Sequence, residues 1–182
     1  MDFVEGLSLP QGYNVIMVMV DQLSKYAHFV SLKHPYTVEL IAKYFLNNVV
    51  KLHRKPLSIV SDRDKIFIST FWKSLFKLHG TTLYYSSSYH PQSDGQTEVV
   101  NRTLDQYLRY FSYNQQKSWM EWLAWAEYGY NMVVHLVNKM SPLKAVYGVP
   151  PPSMTSYVLS TIKIQVVDKL LHTREVILRD LW

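Results

Sequence analysis

A continuous apolar run over residues 15–20 does most to limit what this chain can fold into. The run reads V-I-M-V-M-V, and four of its residues are β-branched. Such a run, without polar alternation, is typical of a strand that is buried on both faces of a sheet. We expect one strand before it, at residues 1–7, and another after it, at residues 26–32. The three are so close in sequence that an antiparallel meander is predicted.

The remainder of the chain alternates helical patterns with short strands. Thr37 and either Ser69 or Thr70 are suited to cap helices, and Gly80 is suited to end one. We expect further strands at residues 57–60 and 82–85, and helices at residues 38–52, 71–79, 95–113, 119–137 and 142–147. This order predicts an α/β fold with a five-stranded mixed sheet flanked by helices on both faces.

A proline-rich stretch at residues 148–152, G-V-P-P-P, predicts the edge of the folded core. We therefore assign residues 1–150 to one domain and residues 151–182 to a linker that leads into an amphipathic helix. We expect both ends to be clipped, because the first strand is short and the last helix ends abruptly. The apolar face of that helix is formed by Leu170, Leu171, Ile177, Leu178 and Leu181.

Composition excludes several classes of protein. The chain has 182 residues, 48% of them hydrophobic, which is enough for one domain with a substantial core. The absence of cysteine excludes disulfide frameworks, thiolate metal sites and cysteine nucleophiles. A net charge of +5 is compatible with a nucleic-acid partner. No apolar run is long enough to span a membrane, and no signal peptide is visible, so we expect no membrane partner.

Three acidic residues, Asp2, Asp62 and Glu98, are predicted at one edge of the fold. A crossover from one parallel strand to the next places the end of the fourth strand beside the first. Carboxylate oxygens suit Mg²⁺ or Mn²⁺, and two such ions can promote an in-line phosphoryl displacement. Taken alone, each of these acids is better explained by a local role, as a turn cap for an aspartate or as a helix-dipole partner for Glu98. Spacing does not distinguish these acids from Asp21 or Asp64.

Several stretches of the chain resemble integrases of gypsy-type LTR retrotransposons. Residues 59–67, I-V-S-D-R-D-K-I-F, and residues 89–102, Y-H-P-Q-S-D-G-Q-T-E-V-V-N-R, are similar to the second and third acidic motifs of that family. The first motif is matched by residues 1–7, and further matches are at residues 20–29, 122–128 and 141–148. The resemblance covers about residues 1–152 and implies a ribonuclease H-like catalytic core of the retroviral integrase superfamily.

The resemblance also implies a function and a site. Asp2, Asp62 and Glu98 would be the catalytic residues and would bind Mg²⁺ or Mn²⁺. The reaction would be metal-dependent DNA 3′-end processing and strand transfer, the polynucleotidyl transferase chemistry of DNA integration and recombination. The expected partners are element and target DNA and further copies of the chain, in the nucleus. The expected DNA-binding residues are Asn101, Arg102, His90, Gln92 and Ser93.

The residues leave other functions open. The first alternative is a catalytically inactive, truncated remnant, or a recruited domain that binds nucleic acid or associates with itself. Departures from the family pattern favour it, among them Gly129 in place of an aromatic residue, and so does the short strand around Asp2. A ribonuclease H would share the fold and the metal chemistry, but the two long acidic motifs match integrases. For Arg102, a solvated helix face is an equally good explanation.

Overall fold

A computed structural model describes residues 1–7, 12–86, 95–112, 119–136 and 138–151. The expected C-terminal amphipathic helix, which includes Leu170 and Leu181, lies outside this part of the chain. The same is true of the predicted DNA-binding residues His90, Gln92 and Ser93, whose roles stay predictions.

Three strands form an antiparallel sheet in the order β1 (Asp2–Val4), β2 (Tyr13–Val20) and β3 (Ala27–Lys33). Asp2 of β1 lies opposite Val18 of β2, and Val18 lies opposite Phe29 of β3. Residues 15–19 of the central strand are all buried, which confirms a strand covered on both faces. The predicted meander is therefore present.

The second sheet consists of β4 (Ser58–Ser61) and β5 (Thr82–Tyr85), which pair in parallel. The expected single five-stranded sheet is wrong for the described strands, which form one sheet of three and one of two. The sheets meet where the amino group of Met1 donates a 2.8 Å hydrogen bond to the carbonyl of Val60. The paired part of β1 is three residues long, so the contact with β4 does not develop into a regular ladder.

Helices cover both faces of the larger sheet. Thr37 and Ser69 cap the first and third helices, since their hydroxyls accept hydrogen bonds from the backbone N–H groups of Leu40 and Trp72. A π-helical turn, Leu46–Val50, joins the first two helices. The helices are α1 (Val38–Phe45), α2 (Lys51–His53), α3 (Thr70–Leu78), α4 (Gly95–Ser112), α5 (Trp119–Met132) and α6 (Pro142–Tyr147).

Alternate residues of β2 belong to two separate cores. Met17 and Met19 pack with α1 and α3 on one face, around Phe45, Trp72 and Phe76. On the opposite face, Ile16 and Val18 pack against Leu104, Trp119 and Leu123 of α4 and α5. This arrangement confirms helices on both faces, and it places the start of α4 beside β1. In the described part of the chain, no helix is long and apolar enough to cross a membrane.

The fifth helix is shorter than the expected 119–137. It ends at Met132, after which the chain folds back in a tight turn. Lys139 N–H donates to the carbonyl of His135, and His135 N–H donates to the carbonyl of Met140, over 2.8 and 3.1 Å. A continuing helix would instead need the His135 N–H to bond to the carbonyl of Asn131, so this turn replaces the last expected helical turn.

Candidate functional site

The carboxylate of Asp2 is held at the junction of β1 and α4. Asn101 Nδ2 donates a 2.7 Å hydrogen bond to Asp2 Oδ2, and the backbone N–H of Phe3 donates to Asp2 Oδ1 over 2.8 Å. Glu98 precedes Asn101 by three residues and is therefore its neighbour on the helix surface. The bond between Asn101 and Asp2 thus brings the first turn of α4, which carries Glu98, to β1.

The amide oxygen of Asn101 is the most unusual polar atom at this junction. Oδ1 is buried and has no hydrogen-bond partner in the described part of the chain. Buried polar atoms of this kind are rare in folded proteins and call for an explanation. Amide and carboxylate oxygens are also the ligands that Mg²⁺ and Mn²⁺ prefer. A cation beside Asp2 would give this oxygen a partner.

Asp62 directly follows β4 and shapes the turn that leads to α3. Its Oδ1 accepts a 3.1 Å hydrogen bond from the backbone N–H of Asp64, and Asp64 Oδ1 accepts one of 2.8 Å from the N–H of Ile66. Both aspartates therefore act as turn caps, the local role that an isolated aspartate commonly has. The capping bonds occupy one oxygen of each carboxylate.

Tyr36 is half-buried close to the carboxylates of this strand end. Burial, followed by the charges of Asp64, Glu5 and Asp62, raises the pKa of the Tyr36 phenol to about 12. Three carboxylates therefore act on one point near β1 and β4. A concentration of negative charge of this kind attracts cations.

Glu98 has a different environment from the two aspartates. Its side chain is 73% exposed and forms an ion pair with Arg102, whose side chain is 70% exposed, over 3.4 Å. An exposed pair four residues apart on a helix contributes about 0.3–0.5 kcal/mol, so Arg102 holds Glu98 only weakly. Both side chains can change partner at little cost.

The structure thus brings part of the predicted site together. Asp2 and Asn101 are in contact, Asp62 follows the strand that Met1 contacts, and Glu98 lies one turn before Asn101. Among the described residues, no group of three or more His, Asp or Glu side chains is arranged to hold a metal ion. The catalytic and metal-binding roles of the three acids stay predictions, as do the DNA contacts of Asn101 and Arg102.

A second polar cluster, which we call the β3 clasp, consists of Glu127, His28 and His53. Glu127 Oε1 lies 3.1 Å from His28 Nδ1, and Glu127 Oε2 accepts a 2.8 Å hydrogen bond from the backbone N–H of Phe29. The Nε2 atoms of His28 and His53 are 2.9 Å apart. A carboxylate only accepts, so His28 Nδ1 donates to it. In a neutral His28 imidazole the other nitrogen, Nε2, then accepts from His53 Nε2. Burial and the neighbouring His28 lower the pKa of His53.

Asn131 extends the coverage of β3 by one helical turn. Its Nδ2 donates to the carbonyl of Ala27 and its Oδ1 accepts from the N–H of Ala27, both over 2.9 Å. The side chains of Glu127 and Asn131 therefore bond to the first part of the outer edge of β3, at Ala27 and Phe29, and cover it against pairing with another strand. Sequence reasoning missed this role. His28 and Glu127 lie in stretches that resemble integrases, but their separation of 99 residues gives no local signal.

Comparisons with known proteins agree with this fold. No protein-family model matches the chain. Over 151 residues, 83% of this chain, it is 32% identical to the transposon Tf2-3 polyprotein of Schizosaccharomyces pombe strain 972. The transposon Tf2-4 polyprotein of the same organism matches equally well. The chain spans 11% of the length of these curated relatives.

Solved structures with the same fold include retroviral integrases. A chain of the simian T-cell lymphotropic virus intasome in complex with PP2A regulatory subunit B56 gamma superposes with a TM-score of 0.67 at 17% identity, over 88% of this chain and 59% of that one. The HTLV-2 integrase catalytic core domain in complex with magnesium, in its trimeric form, gives 0.63 at 16% identity, over 80% and 94%. By sequence, then, the chain is a homologue of Tf2 retrotransposon polyproteins over 83% of its length, and its fold is the one found in integrase catalytic cores.

Proposed function

We propose that this domain is the catalytic core of a retrotransposon integrase, which uses Mg²⁺ or Mn²⁺ to process the 3′ ends of element DNA and join them to target DNA in the nucleus. The observation that carries the proposal is the 2.7 Å hydrogen bond from Asn101 to Asp2. This bond brings the helix of the third acidic motif to the strand of the first. Homology to Tf2 polyproteins supports the class of reaction.

The donors present at the junction fit a hard divalent cation. Asp2, Asp62 and Glu98 would hold it, with the amide oxygen of Asn101 beside Asp2. Such an ion would activate the attacking hydroxyl and stabilise the leaving oxygen of a phosphoryl transfer. The HTLV-2 core with the same fold is in complex with magnesium, which supports the use of a divalent ion.

The residues of the chain prepare the site in distinct ways. Asn101 and the Phe3 N–H orient the carboxylate of Asp2, and the Asp64 N–H orients that of Asp62. Glu98 would join them by leaving Arg102, at a cost of about 0.3–0.5 kcal/mol for an exposed pair. The freed guanidinium of Arg102 would then be available to a DNA phosphate.

We further propose that the domain acts as a homo-oligomer on DNA. Support comes from proteins of the same fold, which include a viral intasome and trimeric and dimeric forms of the HTLV-2 core. The net charge of +5 would favour association with the DNA backbone.

A DNA-joining assay with purified protein tests the catalytic role. The substrate is a branched duplex that mimics a strand-transfer product, supplied with Mn²⁺ or with EDTA. We expect metal-dependent cleavage and joining, reduced at least 100-fold in Asp62→Asn. Asp105→Asn is the matched control, since Asp105 pairs with Arg109 further along α4, away from the site. Equal activity in Asp62→Asn and the wild type would contradict the proposal.

A non-catalytic nucleic-acid-binding domain is the second candidate. It is favoured by the exposed, Arg102-paired state of Glu98 and by the absence of a ready-made three-acid group among the described residues. Under this alternative, the wild type binds duplex DNA equally well in EDTA and in Mn²⁺. It also joins no DNA in either condition, and Asp62→Asn changes neither result.

A further inference from the structure

Two aromatic side chains stack on each other beside the predicted aspartates. Phe3 directly follows Asp2 in β1, and Phe67 lies in the connection from β4 to α3 that begins with Asp62. The two ring centroids are 5.0 Å apart, and the ring planes differ by 2°. Parallel rings at this distance are offset, an arrangement that aromatic pairs prefer. We call this pair the Phe stack. It joins the strand of one aspartate to the connection that carries the other.

The connection from Asp62 to Phe67 is held by successive local hydrogen bonds. Asp62 Oδ1 accepts one from the Asp64 N–H, and Asp64 Oδ1 accepts one from the Ile66 N–H. The Asp64 carbonyl accepts a third, of 3.2 Å, from the N–H of Ile68. These bonds leave few conformations to the backbone between Asp62 and Phe67. The position of the Phe67 ring is therefore coupled to that of the Asp62 carboxylate.

Phe67 is itself anchored in the core. Its side chain is fully buried, and its ring contacts that of Trp72 in α3, with the centroids 5.4 Å apart. Its carbonyl accepts a 3.2 Å hydrogen bond from the hydroxyl of Tyr85 at the end of β5. The side chain and the backbone are thus both held, the first by a helix and the second by a strand. Phe67 therefore provides a fixed surface on which Phe3 packs.

Side chains hold β1 from both of its faces. Neighbouring residues of a strand point to opposite faces, so Phe3 and Asp2 contact different parts of the domain. The Phe3 ring contacts Phe67 and also Tyr36, whose ring centroid is 5.3 Å away. On the other face, Asn101 Nδ2 donates its 2.7 Å hydrogen bond to Asp2. The Phe stack and the Asn101 bond therefore fix β1 from opposite sides, and the stack relates the position of β1 to that of Asp62.

An apolar contact between these segments has a physical advantage over a charged one. Two carboxylates that share a cation repel each other when the cation is absent. Repulsion between Asp2 and Asp62 would favour separation of the segments that carry them. The Phe stack is uncharged and opposes this separation. Rigid support of this kind keeps metal ligands in a productive geometry.

We propose that Phe3 and Phe67 are positioning residues, which set the separation of Asp2 and Asp62 before a cation binds. The Phe67 ring, fixed in the core, determines where Phe3 lies. Phe3 in turn determines where the neighbouring Asp2 carboxylate lies relative to Asp62. Neither ring would contact the cation. The effect on metal binding rests on the proposed function, whereas the placement of the two segments is a property of the metal-free domain.

Mn²⁺ calorimetry on the whole chain tests the Phe stack with two matched core variants. Phe67→Leu keeps an apolar side chain but removes the flat ring. Phe76→Leu is the control, because Phe76 is buried in the same core and its ring contacts Phe45. The Phe76 carbonyl bonds to Thr81, which lies beside the start of β4, at the opposite end from Asp62. We expect a similar fall in Tm for both variants, but Mn²⁺ affinity at least tenfold lower only in Phe67→Leu. Equal Mn²⁺ affinities in the two variants would overturn the proposal.

Variants of Phe3 repeat the test at a half-buried position, where a substitution disturbs the core less. Phe3→Leu removes the ring, and we expect it to weaken Mn²⁺ binding at least threefold. Phe3→Tyr keeps a ring that can stack, and we expect it to bind Mn²⁺ as the wild type does. The double variant Phe3→Leu/Phe67→Leu should bind no more weakly than Phe67→Leu, since the stack is already lost. Equal affinity in Phe3→Leu and Phe3→Tyr, or losses that multiply in the double variant, would overturn the proposal.

Amide hydrogen exchange in EDTA tests the placement of the two segments without a metal. The N–H groups of Phe3 and Asp64 bond to the carboxylates of the predicted aspartates, so their exchange rates report how well those side chains are ordered. We expect exchange at least threefold faster at Phe3 in Phe67→Leu and at Asp64 in Phe3→Leu. Phe76→Leu should change neither rate. Unchanged rates in the stack variants would overturn the proposal. Faster exchange combined with no Mn²⁺ binding by the wild type would contradict the proposed metal site and support the Phe stack, so the two proposals fail through different measurements.

Discussion

Two polar regions of this domain differ in burial and in how their side chains are hydrogen-bonded. At the outer edge of β3, Glu127 and Asn131 bond to the backbone of Phe29 and Ala27, and Asn131 is almost fully buried. At the start of α4, by contrast, Glu98 and Arg102 are exposed and pair with each other over 3.4 Å. A satisfied, buried network contributes stability, whereas an exposed, exchangeable pair leaves its groups available to a ligand. We therefore expect substitutions in the first region to affect folding and those in the second to affect binding.

Replacing Asn131 by leucine should have the largest effect on stability. The change removes two hydrogen bonds and leaves the N–H and C=O of Ala27 without these partners. We expect the free energy of unfolding to fall by about 2–4 kcal/mol, since each orphaned buried group costs about 1–3 kcal/mol. Urea denaturation measures this loss. Asn138→Ala, which removes an exposed bond to the Leu23 carbonyl, is the control. A loss below about 1 kcal/mol for Asn131→Leu would contradict a stabilising role for the covered β3 edge.

Replacing Asn101 by alanine should lower metal affinity strongly and change stability little. Asn101 orients Asp2 by one hydrogen bond, so we expect the free energy of unfolding to change by about 1 kcal/mol or less. Loss of a group that orients a metal ligand typically lowers metal affinity about 10–100-fold, and we expect this for Mn²⁺ measured by calorimetry. Gln106→Ala, an exposed amide on the same helix, should leave Mn²⁺ affinity unchanged. Equal affinity in Asn101→Ala and the wild type would remove the support that this residue gives to a metal site.

The β3 clasp should make stability depend on pH. Burial and His28 lower the pKa of His53 below its ordinary 6.5, although Asp21 acts in the opposite direction. The unfolded chain therefore binds a proton more readily than the folded chain. The stabilisation is complete above about pH 6.5 and is lost as the pH falls through the folded-state pKa.

Replacing His53 by glutamine should reduce this loss. We expect the free energy of unfolding to decrease less between pH 8 and pH 5 in His53→Gln than in the wild type. Part of the pH dependence should persist, because burial also lowers the pKa of His135. His34→Gln, at an exposed position, is the control. Parallel pH profiles for His53→Gln and the wild type would show that the clasp is not linked to proton binding.

Local patterns in the sequence predicted the elements of this fold, but not how distant elements meet. The caps at Thr37 and Ser69 and the bounds of β5 follow from residues that are neighbours in sequence. The division into two sheets depends on whether β1 pairs with β4, which is distant in sequence, and no periodicity encodes that contact. The motif around Asn101 predicts a contact with DNA. The hydrogen bond from Asn101 to Asp2 joins residues that are 99 positions apart, and no local pattern in the sequence predicts such a contact.

Replacing Arg102 by alanine should have the smallest effect on stability. It tests whether the exposed groups at the start of α4 bind a ligand. The exposed pair with Glu98 contributes about 0.3–0.5 kcal/mol, so stability should hardly change. If Arg102 contacts a phosphate, the slope of log K for duplex DNA against log salt concentration should decrease by about 1. Arg109→Ala is the control, because Arg109 forms the same kind of pair with Asp105 on the same helix. Identical salt slopes for the two variants would assign Arg102 to a solvated helix face. The start of α4 would then be more exposed than the β3 edge, but it would have no role in DNA binding.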